Sequence, residues 1–128
     1  MPWTYDPDNI FARILRGEIP NDTVAETDRT LAFNDITPAA PVHVLVIPKG
    51  PYVTYDHFCA EASDAEIVDF HRTVARICAA RGITADASSG YRAISNAGEA
   101  AVQEVPHFHM HLIGGRPLGR MLQPAPEG

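Results

Sequence analysis

The run Val42-His43-Val44-Leu45-Val46-Ile47 is almost unbroken in apolar, mostly β-branched residues, closed at its ends by Pro41 and Pro48. A run without polar alternation predicts a strand covered on both faces, central in a sheet. A different rhythm begins at Ser63-Asp64-Ala65-Glu66. There the serine oxygen can accept from the N–H of Glu66 and the glutamate can return the bond, a capping box that opens a helix. Ile67, Phe70, Val74 and Ile77 then share one helical face, and Gly82 ends the helix. A shorter helix is predicted after Asp8 or Asn9, either of which can cap it. Its inner face is read from Ile10, Ile14 and Leu15, with Phe11 off that spacing and facing elsewhere. Gly17 stops it, and Pro20 bars continuation.

The remaining pattern is β-rich. Residues 23–26 and 30–33 flank the polar turn Thr27-Asp28-Arg29, which predicts a hairpin. Residues 35–41 form a loop, since Pro38 and Pro41 remove donors and fix φ. Residues 49–62 connect to the long helix, with a helical turn at 56–60. Strands follow at 91–95 and 105–113, separated by a loop beginning Asn96-Ala97-Gly98, and Gly114-Gly115 stops the second. From Arg116 the chain runs as a tail containing three prolines, and neither a repeat nor a low-complexity segment interrupts the rest.

The second of those strands carries the chemistry. In His107-Phe108-His109-Met110-His111 alternate side chains share a face, so three imidazoles line up about 6.6 Å apart. Phe108, Met110 and Leu112 take the opposite face and pack on a helix. Three readings remain open on this pattern alone. The histidines could be locally hydrogen-bonded structural groups. They could ligate a metal such as Zn²⁺ with one position left for water. Or a neutral imidazole could attack phosphorus while its neighbours orient it and protonate the leaving group. Phosphoryl chemistry also needs donors aimed at non-bridging oxygens, and Asn96 and Gln103 lie just upstream in a loop that Gly98 lets turn tightly.

Composition narrows the classes. With 128 residues the chain is sized for one domain, 1–128, large enough to build a core without staples. Its net charge of −6, with only 10 Lys and Arg, lacks the basic face of a nucleic-acid binder. No apolar run approaches the roughly 20 residues of a membrane span. The N-terminus has no basic start and unbroken apolar stretch, so no signal peptide is expected. Cys59 and Cys78, with no CxxC spacing, read as reduced thiols of a cytoplasmic protein.

The sequence His107-Phe108-His109-Met110-His111-Leu112-Ile113 resembles the alternating motif of the histidine triad (HIT) superfamily. Four further segments resemble, in order, the first half of its nucleotide-binding Hint branch. They are Asn9-Ile10-Phe11, Gly17-Glu18-Ile19-Pro20, residues 31–36 (LAFNDI) and residues 40–49 (APVHVLVIPK). Residues 111–119 (HLIGGRPLG) are similar to bacterial members, and the likeness covers about 8–121.

The resemblance implies an α+β, HIT-like fold: a five-stranded antiparallel sheet with two helices, continued across a homodimer. It implies hydrolysis of purine nucleoside phosphoramidates to the nucleoside monophosphate, without metal or cofactor. His109 would be the nucleophile and His111 would contact phosphate and leaving group. His107 would orient His109, with His43 behind it. Asp35 would take the ribose hydroxyls, and Asn96 and Gln103 the phosphate and its loop. Ile10, Phe11, Ile19, Phe33 and Leu45 would form the base pocket, and Glu104 and Val105 would border the nucleotide. Two positions depart from the pattern. Glu104 stands where members often carry serine or threonine, and Val102 where glycine is common. Two other functions stay open: a nucleotide-binding protein with slow or vestigial catalysis, and a dinucleoside-polyphosphate hydrolase.

Overall fold

The structure, a computed structural model, describes residues 3–86 and 89–122; the end of the proline-bearing tail lies outside the described residues. The elements in order are α1 (Ile10–Leu15), β1 (Thr23–Glu26), β2 (Thr30–Asn34), β3 (Val42–Pro48), α2 (Tyr55–Glu61), α3 (Asp64–Ala80), β4 (Tyr91–Ile94), a 3-10 turn (Glu99–Ala101) and β5 (Met110–Gly114). The five strands form one antiparallel sheet in the order β1-β2-β3-β5-β4. As the apolar run predicts, β3 is the middle strand, and Val44, Val46 and Ile47 are fully buried. Among the described residues the α-helices number three, because the turn expected at 56–60 is the seven-residue α2, capped by the Thr54 side chain.

Alternation along the strands divides the molecule. Ala32, Val44, Val46 and Leu112 point to the face covered by α3, where they meet Phe58, Phe70, Ile77 and Phe108. The Phe58, Phe70 and Phe108 rings lie 5.1–5.3 Å apart between centroids. Each such ring contributes about 1.5–3 kcal/mol through burial. The capping box of α3 forms as expected, with Ser63 and Glu66 exchanging bonds. Asp69 on α3 accepts from the Thr27 and Thr30 hydroxyls, tying the helix to the β1–β2 turn. On the other face Leu31, Phe33, Leu45 and Ile47 pack with Phe11 and Ile14 of α1.

Two local expectations change. In α1 the buried residues are Phe11, Ala12 and Ile14, while Ile10 is 46% exposed. Six residues contain too few turns for spacing to select a face, and docking of Phe11 on Phe33 decides it. The last strand begins at Met110 rather than 105, so His107 and His109 precede it. The ladder to β3 ends at Val46 opposite Met110. Phe108 N–H instead donates to the carbonyl of Tyr52 in the β3–α2 connection. Gly114 ends β5 where a Cβ would sit 2.9 Å from the Gly90 carbonyl oxygen, an approach that requires glycine.

Among the described residues no helix is long and apolar enough to cross a membrane. Cys59 is exposed and Cys78 buried, and both are free.

Candidate active site

The face opposite α3 carries the imidazoles. The alternation expected of 107–111 survives outside the ladder: Phe108 enters the aromatic core, while His107 and His109 turn the other way, 0% and 6% exposed. His111 lies opposite Leu45 of β3, and His43, two residues earlier on β3, reaches its ring. Asp35 follows β2 and donates its N–H to the carbonyl of His43. Its side chain therefore comes beside the same imidazoles, with Oδ2 3.4 Å from His43 Nε2.

Hydrogen-bond partners settle the tautomers, because a backbone N–H only donates and a carbonyl only accepts. Ala39 N–H donates to His43 Nδ1 at 2.9 Å, so neutral His43 carries its proton on Nε2. That Nε2–H donates to His111 Nδ1 at 2.9 Å, which leaves the His111 proton on Nε2. His107 Nε2–H donates to the Pro48 carbonyl at 2.8 Å, and its Nδ1 accepts from the Tyr5 hydroxyl at 2.6 Å. His109 Nδ1–H donates to the His107 carbonyl at 2.8 Å, leaving the Nε2 lone pair unprotonated. The Phe11 ring holds His109 edge-on, with centroids 5.0 Å apart.

Burial favours the neutral form of His107, His109 and His111. Desolvation pushes His107 down to about 4, against a bond to Pro48 that favours its charged form. Desolvation and the neighbouring His109 and His43 take His111 down to about 4. His109 is also lowered by desolvation; the His107 carbonyl, Asp35 and Glu104 act in the opposite sense.

His109 and His111 line a cavity of about 360 Å³, within the range of small-ligand pockets. Phe11, Leu45 and Val105 form its apolar wall, and Asp35, Asn96 and Glu104 its polar rim. Of the residues assigned from sequence, Ile19 and Phe33 pack behind that wall, and Ile10 does not line it. His43 and His107 stand behind the lining histidines. Gln103 gives both amide hydrogens to backbone, to Val53 O at 2.7 Å and Val105 O at 3.0 Å. Its oxygen accepts from Gly98 N–H, so the whole side chain braces the 98–103 loop. A larger cleft of about 630 Å³, lined by residues including Gly90, Tyr91, Arg92 and Arg116, has no histidine or cysteine among its described lining residues.

The three motif histidines do not converge as a metal site, since both nitrogens of His107 are engaged. Among the described residues the group whose ligand atoms come within 4.8 Å of one another is Asp35, His43 and His111, and there both His43 nitrogens are already hydrogen-bonded. Sequence reasoning missed Tyr5. Its only signal was an aromatic residue just before the first helix, with nothing local to connect it to position 107. His57 and His71, given no role from sequence, lie elsewhere: His57 stacks on Trp3 and faces Glu61, and His71 meets Tyr55 and Phe70 edge-on.

The sequence matches a family described as the HIT domain over residues 16–118. It is 57% identical over 122 residues to an uncharacterized 13.2 kDa HIT-like protein of Azospirillum brasilense, covering 95% of this chain and 98% of that one. It is 44% identical over 115 residues to the purine nucleoside phosphoramidase of Escherichia coli K12, covering 90% and 93%. A histidine triad nucleotide-binding protein from Candida albicans has the same fold, with TM-score 0.79 and 31% identity over 94% of this chain and 86% of that one. With the family matched across most of its length and close relatives spanning nearly all of it, this chain belongs to the HIT family.

Proposed function

We propose that the protein is a purine nucleoside phosphoramidase that works by double displacement at His109. The observation that carries this reading is the bare Nε2 of His109, a buried neutral imidazole fixed through Nδ1 and lining a cavity of about 360 Å³. Likeness to a relative named purine nucleoside phosphoramidase supports the substrate class.

In this mechanism His109 Nε2 attacks phosphorus. The P–N bond breaks and its electron pair leaves with the amine, which takes up a proton. His111 Nε2–H hydrogen-bonds the phosphate and the departing nitrogen, and the proton the amine takes up comes from solvent and is returned when water attacks. Water then cleaves the nucleotidyl-histidine, releasing the monophosphate and restoring the lone pair. The His107 carbonyl aims the nucleophile, and His43 holds the donor tautomer of His111. Asp35 takes the ribose hydroxyls, Asn96 serves the phosphate, and Phe11, Leu45 and Val105 hold the base. Glu104 borders the leaving group.

We place the enzyme in the cytoplasm, where its two unpaired thiols suit a reducing compartment. A homodimer would extend the sheet through β4, an edge strand whose Tyr91 is 42% exposed. Sedimentation at micromolar concentration tests that pairing.

The decisive experiment mixes excess enzyme with an adenosine 5′-phosphoramidate labelled in the nucleoside. Acid-labile label should appear on the protein within one turnover and be lost in His109→Ala. Turnover without any label on the wild-type chain would exclude the covalent route.

A further inference from the structure

The cavity is unusual in charge for a site that takes a phosphate. Among its described lining residues the charged side chains are Asp35 and Glu104, both carboxylates, and there is no lysine or arginine. Asp35 is already engaged: Oδ1 accepts from Thr37 N–H at 2.8 Å, and Oδ2 faces His43. Glu104 is exposed and makes no ion pair among the described residues. An anionic substrate gains nothing from that carboxylate unless another part of the substrate is cationic.

The adjoining loop adds a second observation. Val102 has φ 56° and ψ 55°, the sole positive φ of a non-glycine residue among those described. A branched side chain in this left-handed region is strained and persists only where its surroundings hold it. Gln103 does so, bonding across the loop from Gly98 to Val53 and Val105. The result is an apolar side chain, 70% exposed, on the cavity rim two residues from the free carboxylate.

Resting on the phosphoramidase reading, we propose that Val102 and Glu104 select the leaving group. They favour amines that bear a second, protonated amino group on a short aliphatic chain. Methylenes of such an alkylammonium lie on Val102 while the ammonium faces Glu104, the division of labour that long cationic side chains show on protein surfaces. The same carboxylate repels leaving groups that are anionic, polyphosphates included.

The test uses three adenosine 5′-phosphoramidates whose amines have equal length and end in ammonium, methyl or carboxylate. Wild type should rank them in that order by kcat/KM, with steps of about fivefold for a partly solvated charge pair. In Glu104→Gln the ammonium advantage should collapse, and in Glu104→Lys the order should reverse. High salt should compress the wild-type ranking, because screening acts on exposed charges. Melting temperatures confirm that the variants are folded. The same ranking in wild type and Glu104→Gln would overturn the proposal while leaving the phosphoramidase reading intact. Absence of turnover of all three by wild type would remove that reading, and this one with it.

Discussion

The two faces of the central sheet are built from alternate residues of the same strands, and they are held together by different physics. Toward α3, Val44, Val46, Phe108 and Leu112 meet other apolar groups, so stability comes from area removed from water. Toward α1, His43, His107, His109 and His111 occupy the alternate positions. Here each buried ring nitrogen that faces protein has a partner: Tyr5, Pro48, Ala39 or another histidine of the set. A buried imidazole without such partners would cost more than its packing returns. The histidine face is a wired layer, in which hydrogen-bond partners decide where each proton sits. The apolar face supplies the rigidity that the wiring needs.

Adjacent residues 108 and 109 test this division most directly. His109→Ala should lower kcat by about a thousandfold or more, since a nucleophile has no substitute, while nucleotide binding persists in equilibrium dialysis. Retention of more than about a tenth of wild-type turnover would remove His109 from its role. Phe108→Ala should instead cost about 3–5 kcal/mol in denaturant unfolding, because it leaves a cavity among Phe58, Phe70 and Leu112. Its folded fraction should keep most of its kcat. A large rate loss with little destabilisation would show that the faces are not separable.

Mild acid probes the wired face. Burial holds His107 at about 4 against its ordinary 6.5, so the unfolded chain binds a proton in this window that the folded chain does not. Stability should therefore be level above about pH 6.5 and fall as pH drops toward 4. His107 by itself should contribute a loss of about 2 kcal/mol between pH 7 and 5. Urea titrations at the two pH values measure it together with the like effect of His111, which is also held at about 4, and equal midpoints would mean that neither ring is buried neutral.

The smallest effect concerns the outermost wire. Tyr5→Phe deletes the hydroxyl that serves His107 Nδ1 and should cost about 1 kcal/mol. Turnover should fall only a few-fold, because His109 is aimed by the carbonyl of His107 and not by its ring. A hundredfold loss of kcat would show that the His107 tautomer reaches the nucleophile after all.

Much of this organisation was legible in the chain. The apolar run at 42–47 is enough to make β3 central, because a strand with nothing polar to offer water must be covered on both sides. The Ser63–Glu66 box starts α3 through bonds that close within four residues. The H-x-H-x-H spacing puts the imidazoles on one face, since that face follows from local backbone extension and survives even where the ladder to β3 has ended.

Other features depended on residues far apart in sequence. The inner face of α1 is chosen by Phe33, and the length of β5 by where the β3 ladder stops. The proton positions of His107 and His111 depend on Pro48 and Tyr5 and on His43. The left-handed valine is likewise held by a glutamine that bonds to Val53, some fifty residues away in the chain. Sequence by itself determined the periodicities and the types of side chain, because these follow from local backbone geometry and burial. Tertiary structure decided which nitrogen of His107 and of His111 carries a proton, because each of those tautomers is set by a donor or acceptor that folding brings within 3 Å from far along the chain.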